Sequence, residues 1–188
     1  MQSLTAQTRA ALERLARLDA EGLNRLAEAA LFLEIGEAER AAGCLAFAAL
    51  RVHWIRLAGL IDAADFQTID QPGACPACWS PPVASLVHSN GSLEGLLFLV
   101  CALCATEWHL TRIKCASCAS TEGIAYFEIE GAHALVKAET CDQCRTYSKI
   151  VFAEKEADPE VFADDLAPSR WTYWSMRQAG GGPRRIRF

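Results

Sequence analysis

The sequence is short of positive charge. Its 188 residues include 18 lysines and arginines against 23 aspartates and glutamates, so the formal net charge is −5. This balance gives no general attraction to polyphosphate or to an anionic membrane. Long uncharged apolar runs are missing too, and a membrane-spanning helix, which needs about 18 such residues or more, is not expected. The first residues are amphipathic and unlike a secretion signal, so we expect a cytoplasmic protein.

Familiar catalytic motifs are also missing. The sequence has no GxSxG, no HExxH, no Walker lysine and no GxGxxG after a strand-like run. Glu128 and Glu130 would share one face of a strand, but carboxylates in such a position are usually solvated. We therefore predict that the protein is not an enzyme.

Cysteine, in contrast, is abundant, with nine residues. In a chain without an export signal, clustered thiols indicate metal binding or redox chemistry rather than structural disulfides. Eight of the nine form four CxxC pairs. Cys115 follows Cys75, and Cys141 follows Cys101, by the same interval of 40 positions, as the numbering shows. The constant interval indicates an internal duplication.

The CxxC pairs predict two metal sites. A CxxC turn directs two sulfurs toward one ion, and two such turns complete a tetrahedron. The ligands predicted for the first site are Cys75, Cys78, Cys101 and Cys104. The ligands predicted for the second site are Cys115, Cys118, Cys141 and Cys144. Zinc and iron both accept four thiolates, so the spacing does not name the metal.

Two alternatives use the same cysteines differently. In a crossed arrangement, Cys101 and Cys104 would share an ion with Cys115 and Cys118, which leaves the outer pairs to meet over a long distance. In a thiol redox protein the pairs would stay free of metal, whereas two intact tetrads favour bound thiolates. Cys44 lies in an apolar helical run and is expected to be buried and inert.

Residue patterning predicts an α+β protein: a helical N-terminal segment followed by two tandem β units of the zinc-ribbon type. Helical periodicity extends over residues 3–62, with a third helix starting near Glu37 after Gly36. Short β-branched and aromatic runs follow, with tight hairpin turns expected at residues 89–92 and 130–131. The predicted parts are a helical segment at 1–70, a first ribbon at 71–114, a second ribbon at 115–157, and an acidic linker with an irregular tail at 158–188.

Nucleic acid is an alternative partner, because zinc ribbons often bind it. Between residues 75 and 155, however, six basic residues face eight acidic ones, which is a poor footprint for a phosphate backbone. The charge balance favours a protein partner.

The cysteine region resembles the formate dehydrogenase accessory proteins, the FdhE family. The resemblance is carried by CPACWSPPVASLV, LVCALCATEWHLTRIKCASC and AYFEIEGAHALVKAETCDQCRTYSKIVFAEK. It implies two rubredoxin-like ribbons, with iron as well as zinc as the candidate metal. It also implies a maturation factor that contacts the catalytic subunit of respiratory formate dehydrogenase and turns over no substrate.

The sequence departs from the family pattern in three places. Trp79 stands where the family usually has glycine, so strain is expected in that turn. The helical part before the ribbons is shorter than in the family. The tail SRWTYWSMRQAGGGPRRIRF replaces the apolar helix with which the family continues.

Overall fold

The computed structural model describes residues 5–32, 34–66, 70–89, 91–128, 135–153, 161 and 185–186. The chain divides into two compact units, Met1–Leu60 and Ile61–Phe188. The first unit is helical and the second is built on a β-sheet, which confirms the predicted α+β class.

Three helices form the first unit: α1 (Ala6–Ala16), α2 (Ala20–Leu31) and α3 (Arg40–Ala58). Side chains cap the first two, because Thr5 accepts a hydrogen bond from the backbone of Thr8 and Asp19 accepts one from that of Gly22. Such caps satisfy amides that have no partner within the helix. A 3-10 turn, Glu37–Glu39, leads into α3, so helical backbone resumes where the sequence predicted it.

The helical span Glu37–Ala58 is long and apolar enough to cross a membrane by length and composition alone. Only 11% of the most apolar stretch of this span is buried, and α3 packs on α1 and α2. One helix of this kind is a weak indication, since core helices of water-soluble proteins meet the same criterion. The expectation that the chain does not enter a membrane therefore stays a prediction.

The second unit contains a mixed sheet. Its strands are β1 (Pro82–Val87), β2 (Leu97–Cys101), β3 (Glu107–Leu110), β4 (Ile124–Glu128), β5 (Val136–Cys141), β6 (Thr146–Phe152) and β7 (Arg185–Ile186). Their order is β3-β2-β1-β6-β5-β4, and β7 pairs with β6. Each repeat contributes three antiparallel strands.

The two repeats share this sheet head to tail. The first strand of the first repeat, β1, pairs in parallel with the last strand of the second, β6, and Ser85 lies opposite Ile150. The sequence predicted two tandem units, and it gave no sign that they join into one sheet.

Apolar side chains cover both faces of the sheet. One cluster combines Ala84, Leu86, Val100, Val136, Ala138, Val151 and Val161. The opposite cluster combines Val87, Leu97, Leu99, Leu110 and Ile150. Both clusters draw strands from the two repeats, which is consistent with alternation of side chains along paired strands. The repeats therefore share a core as well as a sheet.

The tight turn predicted at residues 89–92 is wrong. The loop closes further out, because the Gly95 amide donates to the His88 carbonyl oxygen at 2.8 Å and the His88 amide donates to Leu96 at 3.1 Å. A 3-10 turn, Gly91–Leu93, fills part of this longer loop, and β2 accordingly starts only at Leu97. The turn expected at residues 130–131 lies outside the described residues.

Most of the predicted linker and tail, residues 158–188, also lies outside the described residues. Where the tail is described, Arg185 and Ile186 pair in parallel with Thr146 and Tyr147 of β6. An irregular tail was expected there, and the pairing corrects this prediction for these two residues.

The substitution Leu99→Ala tests the shared core. Leu99 is 1% exposed, and we expect the variant to lose about 3 kcal/mol in free energy of unfolding, because it leaves a cavity between β1 and β3. Urea denaturation of the metal-loaded protein measures the loss. Leu93→Ala makes the same chemical change at a side chain that is 40% exposed and should cost less than about 1 kcal/mol. Equal losses for the two variants would contradict this assignment of the core.

Candidate metal centres

The first group of cysteines joins the segment before β1 to the turn after β2. The sulfur of Cys75 lies 3.5 Å from that of Cys104, and the sulfur of Cys78 lies 3.3 Å from that of Cys101. All four sulfurs lie within 4.8 Å of one another. Three of these residues are buried, and Cys78 is partly exposed.

The second group repeats this pattern between the segment before β4 and the turn after β5. The sulfurs of Cys115 and Cys144 are 3.6 Å apart, and those of Cys118 and Cys141 are 3.7 Å apart. In both groups the first cysteine faces the fourth and the second faces the third. The structure thus brings together the two sets that the spacing indicated, not the crossed set.

The backbone folds in the same way around the first CxxC pair of each group, just before the first strand of each repeat. We call these two turns, residues 75–80 and 115–120, the knuckles. The amide of Trp79 donates to the carbonyl oxygen of Cys75, and the amide of Ala119 donates to that of Cys115, both at 2.9 Å. The amide of the first cysteine in turn donates to Ser80 or Ser120, at 3.1 and 2.8 Å respectively. These bonds fold each CxxC into a tight turn that points both sulfurs to one side.

A left-handed residue follows every CxxC pair. The four residues and their φ angles are Trp79 (64°), Ala105 (57°), Ala119 (61°) and Arg145 (54°). This region is costly for residues with a Cβ, and glycine occupies it without that cost. The strain expected at Trp79 is therefore confirmed. The other three were not predicted from the sequence, although their shared position after each second cysteine is a signal that could have indicated them.

Hydrogen bonds are available to stabilise negative charge on the sulfurs. The amides of Leu103 and Cys104 donate to the sulfur of Cys101, each at 3.4 Å. A threonine two residues beyond the last cysteine of each group approaches its sulfur: Thr106 lies 3.0 Å from Cys104, and Thr146 lies 2.9 Å from Cys144. Such bonds favour the thiolate, which is the form that binds metal.

These surroundings divide the thiols by acidity. A hydrogen bond with Cys101 lowers the pKa of Cys78 to about 6. Burial raises the pKa of Cys115 to about 12. At Cys144 burial acts upward, but hydrogen bonds with Thr146 oppose it and the pKa is lowered to about 7. Each group thus has a thiol that ionises near neutral pH, and binding of a metal would displace the protons of the others.

The sulfur positions fit a tetrahedral ion. Metal–sulfur bonds of about 2.3 Å place the corners of a tetrahedron about 3.8 Å apart. The four sulfur–sulfur distances given above, two within each group, are 3.3–3.7 Å and close to that value. Both groups could therefore hold a zinc or iron ion. That the eight cysteines are ligands stays a prediction.

The remaining cysteine, Cys44, and the described histidines, His53, His88 and His109, lie outside the two groups. Cys44 is exposed, so the expectation that it is buried is wrong. Its position on α3 faces away from the few buried residues of that helix, Ala42 and Gly43. His88 lies 2.9 Å from the carboxylate of Glu107, an interaction that does not involve the sulfurs.

Helices followed by two four-cysteine groups on one shared sheet define a class of double-ribbon proteins. Sequence profiles of one family cover almost the whole chain: FdhE N-terminal at residues 1–71, the FdhE central domain at 74–112 and the FdhE C-terminal domain at 113–171. The chain belongs to the FdhE family.

Individual relatives agree with this assignment. The chain is 40% identical over 159 residues to a "Protein FdhE homolog" of Serratia proteamaculans (strain 568), and 37% identical over 159 residues to "Protein FdhE" of Escherichia coli O1:K1 / APEC. Each alignment covers 84% of this chain and 51% of the relative. The chain thus spans about half the length of these curated relatives.

A solved structure has the same fold. The crystal structure of the FdhE protein from Pseudomonas aeruginosa superposes with a TM-score of 0.81 at 31% sequence identity. The match covers 99% of this chain and 64% of that one.

The substitution Trp79→Gly tests the strain in the first knuckle. We expect it to raise the free energy of unfolding of the metal-loaded protein by about 1 kcal/mol over that of Trp79→Ala, because only glycine removes the clash at positive φ. The alanine variant is the matched control, since it removes the same exposed ring and keeps the Cβ. Urea denaturation compares them. An alanine variant as stable as the glycine variant would contradict the strain.

Proposed function

We propose that this protein is an accessory factor in the maturation of respiratory formate dehydrogenase. The observation that carries the proposal is the run of three FdhE domains along residues 1–171. The spacing of its four-cysteine groups and the fold of the Pseudomonas aeruginosa FdhE protein support it. The protein would act in the cytoplasm.

The proposed role needs no reaction on the protein itself. Each four-cysteine group would hold one metal ion, iron of the rubredoxin type or zinc, and the ion would cross-link two turns of the chain. Thiolates held in this way are poor nucleophiles, so the eight cysteines serve structure rather than catalysis. The protein would thus act by binding and not as an enzyme.

The partner we propose is the catalytic subunit of formate dehydrogenase, contacted through the double ribbon. Two large apolar side chains beside the ribbon knuckles are available for contact: Trp79 is 65% exposed and Ile113 is 60% exposed. Both residues also have a positive φ, 64° at Trp79 and 61° at Ile113. Aromatic residues are enriched in protein interfaces. The acidic charge balance disfavours nucleic acid as the partner.

Complementation tests the proposal. The chain is expressed in a bacterium that lacks its own FdhE protein, and formate-dependent dye reduction is assayed alongside a full-length relative. We expect restored activity. Cys101→Ser should abolish it, because the first metal group loses a buried ligand, whereas Cys44→Ser changes an exposed thiol outside both groups and should leave it unchanged.

Accumulation of each variant is measured in the same cells. A soluble, metal-loaded chain that restores no activity beside a working full-length relative would contradict the accessory role of this chain. Full activity of Cys101→Ser would contradict the role of the ribbon.

A further inference from the structure

A cavity lies beside the second four-cysteine group. Its volume is about 420 Å³, within the range of small-molecule pockets. The segment at residues 70–73 and the knuckle at residues 115–119 form two walls, and residues 139–141 of β5 and 146–148 of β6 form another. Gly73 lets the first two walls touch, since a Cβ there would collide with the carbonyl oxygen of Ala116.

The cavity is open because the second repeat has smaller and more polar side chains than the first at corresponding positions. In the first repeat Leu99 and Trp108 face each other across β2 and β3, and both pack into the apolar core. The positions that correspond to them in the second repeat, by the same interval as the cysteines, are Glu139 and Ser148, which face each other across β5 and β6. A serine in place of a tryptophan leaves room, and a glutamate in place of a leucine makes the wall polar.

Glu139 is an unusual residue to bury in this position. It is only 7% exposed, and its carboxylate shares a hydrogen bond with Tyr126 on β4. It lies on the same strand face as Cys141 of the second group, because side chains two residues apart point the same way. A carboxylate buried to this degree is normally paired with a cation or held by several donors.

The charged residues that the structure describes in the cavity lining are all acidic. Asp70 and Glu139 are among its lining residues, whereas no lysine, arginine or histidine is among those that the structure describes there. Arg112 acts on Tyr126 through its charge but does not line the cavity. Four thiolates around a divalent ion would add further negative charge to this wall. The cavity therefore favours a cation.

We propose that this cavity is a binding site for a guanidinium group. A guanidinium is planar and donates two parallel hydrogen bonds to one carboxylate, which suits a single buried glutamate better than an ammonium does. Ser148, which lies opposite Glu139 and also lines the cavity, offers a hydroxyl to the remaining N–H groups. The site extends the proposed function without resting on it, since binding requires no formate dehydrogenase.

Calorimetric titration of the metal-loaded full chain tests the site. The probes are N-acetyl-arginine amide, the uncharged N-acetyl-citrulline amide of the same shape, and a capped five-residue peptide with a central arginine between alanines. We expect saturable binding of the arginine amide at one site and binding of the citrulline amide weaker by about tenfold or more. If the peptide binds more tightly than the arginine amide, the guanidinium group comes from a protein segment. If the two bind equally, it comes from a free guanidine.

Variants test whether arginine binds in the cavity or elsewhere on the protein surface. Glu139→Gln keeps the shape and the bond to Tyr126 but removes the charge, so we expect arginine binding to weaken by about tenfold or more. Glu122→Gln makes the same change at an exposed residue of the same repeat and should bind as the unmodified chain does. Asp70→Asn, at the exposed mouth of the cavity, should weaken binding by about threefold and provides the test if Glu139→Gln fails to fold.

Three results would overturn the proposal. They are the absence of saturable binding by either arginine probe, equal affinity for the citrulline amide, and unchanged affinity in both Glu139→Gln and Asp70→Asn. Metal content and thermal unfolding, measured for each variant, ensure that a loss of binding reflects the cavity and not a loss of the ribbon.

Discussion

The fold of the second unit depends on the meeting of four sulfurs at each of two points. Each meeting point ties the segment before the first strand of a repeat to the turn between the next two strands, so one ion would fix three strands at once. The described residues of the sheet form two modest apolar clusters, and small β units of this kind rarely fold on apolar burial alone. A structural metal site can contribute on the order of 10 kcal/mol of folding free energy, enough to outweigh the strain of the left-handed residues around it. Bound metal would thus cross-link the knuckles and offset the cost of the positive φ angles.

The spacing of the cysteines along the sequence predicted the two cysteine groups. The pairing of strands that are distant in sequence could not be predicted from such spacing. A CxxC turn and a repeat interval are properties of neighbouring residues, so the two sets could be read from the sequence alone. The parallel pairing of β1 with β6 joins segments more than sixty residues apart and has no local signature. The prediction that Cys44 is buried was wrong for a similar reason, because an apolar helical run does not show which face of the helix is covered. The long loop before β2 was not predicted, because Asn90 and Gly91 also suit a tight turn.

The two repeats differ at corresponding positions beside their cysteine groups. The first repeat contributes Leu99 and Trp108 to the shared apolar core, and the corresponding residues of the second are Glu139 and Ser148. Both of these polar residues line the cavity. The second four-cysteine group therefore borders a polar pocket, whereas the apolar core of the sheet occupies the corresponding place in the first repeat.

Two bound metal ions would hold the β-sheet together. Hydrogen exchange followed by mass spectrometry tests it most directly, on protein shown to carry two ions per chain and on the same protein after chelation under reducing conditions. Chelation should remove amide protection from β1 to β6 and leave that of α1 to α3 largely intact, and restoring the metal should bring the protection back. A sheet that keeps its protection without metal would contradict the claim, because apolar packing would then be sufficient to hold it.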